Sequence, residues 1–341
     1  MMKFKITLLA SFFCCLSVFA NELPDLGDAS QLIISAKEEQ AIAKAILKEV
    51  AVSPEIVQDI EVIDYLKNLG DRLVAYSPNK RQQFNFFVVN ESSINAFAML
   101  GGVIGVHTGL ILASNSESEV ASVLGHEIAH VTQRHLPRMI AQQKNDSIKT
   151  VLGIALALLV ARANPQLSAG TMTAASAMGV QKQLDYTREH EKEADRVGFQ
   201  ILTDAGFDGR SMVSFFNTLQ RGSRFSEGAA PSFLRTHPIT TDRISDISNR
   251  VKESRYRQIP DNPDFIFIKS KLRATNGTPQ SAVDTFEGSI KDKRYMNEAA
   301  ERYGLAIAYM RKSDFVRARQ EVEWLKMNSK KNALIETLAC K

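Results

Sequence analysis

The chain has 341 residues, of which 44% are hydrophobic and 23% are charged, and its formal net charge is +4. This length and apolar content allow a buried core, favour two domains over one, and exclude disordered, collagen-like and linker proteins. A predicted leader carries Lys3 and Lys5, so its removal would lower the net charge to about +2. Such a weak charge predicts no nucleic-acid partner.

Residues 1–20 have the pattern of a cleaved secretory signal peptide. A short basic start is followed by an apolar run that ends in small residues just before Asn21. The alternatives are an uncleaved membrane anchor, for which the run is too short, and a lipoprotein, for which Phe13 before Cys14 is too large. We therefore expect an exported protein whose mature chain keeps one cysteine, Cys340, and no internal disulfide.

Two helices and a small sheet are predicted next. Apolar residues recur at intervals of three and four over residues 38–52 and 54–76, which is typical of amphipathic helices. Residues 84–89 predict a strand. Residues 94–112, which contain the Gly101-Gly102 pair and Gly105, predict a second strand or a hairpin ending near Leu112.

A capped helix follows, and it contains a metal-binding pattern. Ser116 and Glu119 form a capping box, and the helix is expected to stop at Pro137. Within it lies His126-Glu127-Ile128-Ala129-His130. Two imidazoles four residues apart share a helix face, and the glutamate one residue on can reach a water on the same metal. This H-E-x-x-H pattern predicts a catalytic zinc site, which needs a third protein ligand from elsewhere.

The third ligand is expected within residues 186–195. Four side chains there could coordinate a metal: Glu189, His190, Glu191 and Glu193. The spacing favours Glu191, because Asp195 lies one helical turn further on and could accept a hydrogen bond from a zinc-bound histidine. The same stretch belongs to a helix predicted over residues 184–205 and closed by Gly206.

An apolar run at residues 151–161 separates the two motifs. It is too short to span a membrane and predicts a buried helix. The alternative is a segment that lies on a membrane surface or covers a substrate cleft.

The proline-containing stretch 258–263 predicts a boundary to a helical tail. Five tail residues have the spacing of a tetratricopeptide helix pair: Leu305, Ala306, Tyr309, Phe315 and Ala318. Ser270, Ala282 and Phe286 indicate a weaker preceding unit, and residues 332–339 could begin a third. The alternative is an unrelated helical extension.

Three of these motifs occur in the order typical of one protein family. The H-E-x-x-H helix, the Glu191-x-x-x-Asp195 pair and Asn95-Ala96-Phe97-Ala98 ahead of the glycine pair resemble the zinc endopeptidases related to the CAAX prenyl proteases. The resemblance implies an α+β, mainly helical gluzincin-type domain with a small sheet at residues 21–257. A short and incomplete tetratricopeptide-like region would follow at residues 264–341.

The resemblance also implies roles for individual residues. It implies one Zn²⁺ per chain, bound by His126, His130 and Glu191, with Glu127 as the general base. It suggests that the strand formed by Asn95, Ala96, Phe97 and Ala98 is an edge strand to which an extended substrate could add.

A histidine further along the chain matches a His-Pro segment of the same family. This is His237, ahead of Arg243, and we expect it either to donate to the oxyanion or to occupy the open zinc position. Its alternative is a histidine in a surface turn. Asp195 and Arg243 are expected to support the ligands, whereas three other histidines are expected to be structural or solvent-facing: His107, His135 and His190.

The implied function is hydrolysis of misfolded or stalled outer-membrane proteins in the periplasm, by attack of a zinc-bound water assisted by Glu127. The helical tail could contact the outer-membrane β-barrel assembly machinery, and part of the chain could touch a membrane surface. The alternative is a periplasmic chaperone or assembly factor for the same proteins with a largely idle zinc site. An intact Glu127 favours the enzyme, because a structural zinc site needs no base beside its first ligand.

Overall fold

The computed structural model describes residues 34–142, 188–225, 232–254 and 259–340, and the structural statements below concern these residues. The predicted signal peptide, the apolar run at residues 151–161 and the start of the helix predicted at 184–205 lie outside them. Among the described helices, none combines the length and the apolar character that crossing a bilayer requires.

Two amphipathic helices open the described chain. Helix α1 (Ala36–Val52) begins at Ser35, whose hydroxyl accepts the backbone N–H of Glu38 while the Glu38 carboxylate accepts the N–H of Ser35. Helix α2 (Ile60–Val74) begins later than its apolar pattern predicted, because the carboxylate of Asp59 accepts two backbone N–H groups and starts the helix there.

Three described strands form one sheet in the order β1 (Asn85–Val89), β3 (Val103–His107), β2 (Ala96–Met99). Strand β1 is parallel to β3, whereas β2 is antiparallel to it. Strand β2 is therefore an edge strand. A tight turn at Leu100–Gly102 joins β2 to β3, and it requires glycine because Gly101 has a φ of +75°.

The predicted hairpin is present, but its predicted end near Leu112 is wrong. Strand β3 ends at His107, and helix α3 (Thr108–Ala113) follows. Leu110 and Ile111 of this helix are fully buried. A short apolar run of this kind does not distinguish a buried strand from a buried helix.

Helix α4 (Glu117–Thr132) begins at Ser116, whose hydroxyl accepts a backbone N–H of the first turn. The predicted end at Pro137 is wrong, because Arg134 adopts a φ of +53° and a separate helix, α5 (His135–Gln142), starts after it. Pro137 lies in the first turn of α5, where a missing N–H removes no helical hydrogen bond.

The remaining described helices are α6 (Arg188–Asp204), α7 (Arg210–Phe225), α8 (Ser232–Thr236), α9 (Thr241–Glu253), α10 (Pro263–Thr275), α11 (Pro279–Lys291), α12 (Glu298–Arg311), α13 (Phe315–Asn328) and α14 (Ala333–Ala339). Helices α4 and α6 pack closely against each other. They meet at Gly125 and Gly198, and a Cβ on Gly198 would lie 2.9 Å from backbone atoms of His126. This close approach brings the acidic start of α6 beside the histidines of α4.

The C-terminal helices share one hydrophobic core with the rest of the protein. Helix α10 packs against α2 and α3. Its Lys271 is 5% exposed and forms ion pairs with Asp59 and Glu61. The fold is thus α+β and mainly helical, as predicted, with a small sheet and a C-terminal helical region.

The residues that matched the tetratricopeptide spacing lie on helices α12 and α13, which pack together. Four are buried: Leu305, Ala306, Tyr309 and Ala318. Phe315 is 61% exposed and fills no space between the helices. The repeat itself stays a prediction.

Candidate metal centre

Four buried side chains converge on one point of the structure. They are His126 and His130 of α4, Glu191 of α6, and His237, which follows α8. Each offers a potential ligand atom, and these atoms lie within 4.8 Å of one another. The first three are the predicted metal ligands, and each of the four is at most 2% exposed.

The ring nitrogens of the two helix histidines point the same way. Nε2 of His126 lies 2.9 Å from Nε2 of His130. Oε2 of Glu191 lies 3.5 Å from Nε2 of His126, and its Oε1 lies 3.5 Å from Nε2 of His130. Nδ1 of His237 lies 2.9 Å from Oε1 of Glu191 and 3.4 Å from Nε2 of His126. Imidazole nitrogens with a carboxylate oxygen at such a buried point are a donor set that fits zinc.

A buried arginine holds the opposite side of this cluster together. Arg243 is 2% exposed and donates two hydrogen bonds to Asp195, of 2.6 and 2.7 Å. Its Nη1 lies 2.7 Å from Oε2 of Glu191 and donates to the carbonyl oxygen of Pro238. Oδ1 of Asp195 in turn lies 3.0 Å from Nδ1 of His126. Arg243 thereby links two carboxylates to the loop that carries His237.

Acidic and basic groups of the cluster shift one another's pKa. Burial alone raises the pKa of Glu191, but His237 and His126 hold the pKa of this carboxyl well below its usual range. Burial also raises the pKa of Asp195, but the hydrogen bonds from Arg243 outweigh this effect, so the pKa lies below its usual value. Although burial lowers the pKa of His126, Asp195 and Glu191 raise it to about 9. The basic partners thus favour the ionised form of both carboxylates.

Glu127 lies beside the cluster and is fully buried. Its carboxylate oxygens have no hydrogen bond of normal geometry within the described residues. Nε2 of His237 is 3.6 Å from its Oε1, and the backbone of Ala98 on β2 also faces it. Burial raises the pKa of Glu127. A buried carboxyl of raised pKa is suited to accept and release a proton.

The position of His237 depends on helix α8. Phe233 of α8 is 1% exposed, and its ring stacks on that of His237 with a centroid distance of 4.6 Å. The backbone N–H of His237 donates to the carbonyl oxygen of Phe233. His237 is therefore held in the cluster and does not lie in a surface turn.

The other ligand candidates of the acidic segment lie outside the cluster. Glu189 is exposed, and Glu193 contacts His135 and Arg138. His190 is buried, and its ring stacks on that of His135.

None of the three histidines expected to be structural or solvent-facing is exposed. His107 is fully buried, with Nδ1 2.9 Å from the Ser93 hydroxyl. His190 packs against His135 as described above. Sequence reasoning missed that His135 contacts His130, because the break between α4 and α5 carries no spacing signal that places it there.

The predicted substrate strand lies at the sheet edge and packs against α4. Strand β2 contains Ala96, Phe97 and Ala98, and Asn95 precedes it as a buried residue. The edge strand and the histidine helix are thus neighbours, which places an extended backbone beside Glu127.

Comparison with known proteins gives a consistent result. The family model "Peptidase family M48" matches residues 63–251. The chain is 35% identical over 310 residues to the "Putative beta-barrel assembly-enhancing protease" of Vibrio cholerae, covering 89% of this chain and 64% of that protein. It is 32% identical over 306 residues to the beta-barrel assembly-enhancing protease of Escherichia coli K12, covering 89% and 62%.

A more distant relative is the mitochondrial metalloendopeptidase OMA1 of Arabidopsis thaliana, 33% identical over 151 residues, which cover 44% of this chain and 28% of that protein. The chain spans less than two thirds of the length of the two bacterial relatives, at 64% and 62%.

Proposed function

Because the chain belongs to peptidase family M48, we propose that it is a zinc-dependent endopeptidase whose metal is held by His126, His130 and Glu191. The observation that carries this proposal is the convergence of these three buried side chains beside a buried Glu127. Three protein ligands with a position left for water are typical of a catalytic zinc site, whereas structural sites use four.

Different residues of the chain carry out proton transfer and support of the metal ligands. Zinc in this cluster would supply an electrophile for the scissile carbonyl and acidity for a water molecule. Glu127 takes the proton of that water and passes it to the leaving amine, which its raised pKa permits. Asp195 and Arg243 hold His126 and Glu191 in place throughout.

His237 regulates access to the centre in this proposal. Its Nδ1 lies within ligand reach of the same point as His126 and Glu191. These contacts favour a blocking role, in which His237 occupies the fourth position, over donation to the oxyanion. Substrate cleavage then requires the loop at Pro238 to move His237 away. Substitution His237→Ala should change zinc affinity or cleavage rate, and no change in either would contradict both roles.

The substrates are taken to be misfolded or stalled outer-membrane proteins, bound as an added strand along β2. The edge position of β2 beside α4 supports the binding mode, and the names of the bacterial relatives support the substrate class.

We place the protein in the periplasm, with a signal peptide at residues 1–20, the peptidase domain at 21–257 and a tetratricopeptide-like region at 264–341. The tail is the candidate contact to the β-barrel assembly machinery, and a membrane-surface contact is part of the same proposal.

A periplasmic chaperone or assembly factor with a largely idle zinc site is the second candidate. One observation favours it: His237 lies inside the cluster, where it would exclude water. This candidate uses the same clients but needs no proton transfer by Glu127.

The substitution Glu127→Gln separates the two functions, provided that metal analysis shows equal zinc content in both proteins. If the protein is a peptidase, Glu127→Gln should lower the cleavage rate of an unfolded outer-membrane protein by about 10²- to 10⁴-fold. Equal cleavage by both proteins would contradict the peptidase. An intact envelope in cells that produce only Glu127→Gln would favour the chaperone function.

A further inference from the structure

The two ligand histidines of α4 are supported by different partners. Both turn Nε2 into the cluster and Nδ1 away from it. Nδ1 of His126 meets the carboxylate of Asp195, whereas Nδ1 of His130 lies 2.8 Å from Nδ1 of His135. A second imidazole therefore stands where a carboxylate or carbonyl usually supports a metal-binding histidine.

His135 reaches this place because α4 is interrupted. In a continuous helix of about 100° per residue, residue 135 would lie roughly 140° around the axis from His130. The positive φ of Arg134 ends that geometry and starts α5, whose first residue is His135. The side chain is fully buried as a result.

The far side of His135 faces an acid. Nε2 of His135 lies 3.0 Å from Oε2 of Glu193 on α6, and Arg138 of α5 donates to the same oxygen at 3.1 Å. The contacts form one series that runs from His130 through His135 and Glu193 to Arg138. It joins α4, α5 and α6.

The protons of this series can be assigned. An ionised carboxylate only accepts, so Nε2 of His135 carries the proton that is donated to Glu193. Nδ1 of the neutral His135 ring then carries no proton, and it accepts a hydrogen bond from Nδ1–H of His130. Nε2 of His130 is left with its lone pair directed into the cluster, which is the form that binds a metal.

We infer that His135 and Glu193 are positioning residues that fix the ring orientation and the metal-binding tautomer of His130. This inference rests on the proposed zinc site. A purely structural role for His135, as a ring packed against His190, is the competing explanation.

Zinc dissociation constants of the metal-free proteins, measured by competition with a chromogenic chelator, test the inference. His135→Leu keeps the volume but removes the acceptor, and it should weaken zinc binding by about 10- to 100-fold. His135→Asn places an amide oxygen near the position of Nδ1 and should recover most of the affinity. Glu193→Ala should weaken binding by about tenfold.

Asp204→Ala is the matched control, because it also removes a carboxylate from α6 but at an exposed site that accepts from Gln200. Its zinc affinity should equal that of the wild type. Melting temperatures with excess chelator report the folding of each metal-free variant. A structural role would lower that temperature for His135→Leu and leave the zinc dissociation constant unchanged.

Equal zinc affinity of wild type and His135→Leu would overturn the inference, as would an asparagine variant no better than the leucine variant. A wild-type protein that binds no zinc would overturn the proposed function, and this inference with it. The two failures are therefore distinguishable.

Discussion

The metal cluster and the C-terminal helices are both buried, but different interactions hold them together. In the cluster, charged side chains face one another, and Glu191, Asp195 and Arg243 are each at most 2% exposed. In the C-terminal helices, aromatic rings fill the space between small residues. The ring of Phe286 packs against Gly304, where any Cβ would collide with it.

This difference affects how each region responds to a change. Buried charges are stable only while every partner is present, whereas apolar packing contributes in proportion to the area removed from water. We therefore expect changes in the cluster to alter stability and zinc affinity together. Changes in the C-terminal helices should alter stability alone.

The largest effect is expected from Arg243→Leu. Without the guanidinium, the buried carboxylates of Asp195 and Glu191 lose the partner that they share, which costs about 3–5 kcal/mol of unfolding free energy. Zinc affinity should fall as well, because Asp195 no longer holds His126 firmly. Urea denaturation of the metal-free protein and a zinc competition titration measure the two effects.

The control for this change is Arg250→Leu on the same helix. Arg250 pairs with Asp246 at the surface, where an ion pair contributes less than about 1 kcal/mol. Its zinc affinity should match the wild type. An unaltered zinc affinity in Arg243→Leu would show that the cluster keeps its geometry without this arginine.

Phe286→Ala tests the other region. Phe286 is 1% exposed, and removal of a buried aromatic ring costs about 3 kcal/mol through lost burial and the cavity left behind. The zinc dissociation constant of the folded protein should stay within about twofold of wild type, since Phe286 lies on helix α11, which packs against α10 and α12. A clear loss of zinc affinity would mean that the two regions are coupled through their shared core.

Removal of zinc should distinguish the same variants in a third way. At a free zinc concentration of 100 times the dissociation constant, binding stabilises the folded state by about 2.7 kcal/mol. Addition of a chelator should lower the melting temperature of wild type and Phe286→Ala by similar amounts, and that of Arg243→Leu by less. Melting temperatures that do not respond to the chelator would argue against a metal at this cluster.

Local spacing and the family resemblance together predicted which residues would form much of the cluster. The four-residue intervals between His126 and His130, and between Glu191 and Asp195, each place two side chains on one helix face. Hydroxyl and carboxylate caps such as Ser116 also marked where helices begin. These signals depend on one helix at a time, so a single sequence contains them.

Several other features that depend on contacts between elements were not predicted. The contact of His135 with His130 requires the helix break at Arg134, and no residue pattern predicts that break. Helix α3 forms where an apolar run also fits a strand. The ion pairs of Lys271 with α2 join residues more than 200 positions apart in the chain. Such contacts are fixed by tertiary packing, which overrides local preference.

The smallest effects come from one matched pair of glycines. Gly198→Ala puts a methyl group 2.9 Å from the backbone of His126, so α6 must shift away from α4 at a cost of about 1–3 kcal/mol. The shift also moves Glu191 and Asp195, so zinc affinity should fall. Gly288→Ala lies in helix α11 with no atom within 4 Å of the new methyl group, and it should stabilise the protein by about 0.5–1 kcal/mol. Urea denaturation and zinc titration of both variants check this, and a Gly198→Ala protein with wild-type zinc affinity would show that the close helix approach does not position the ligands.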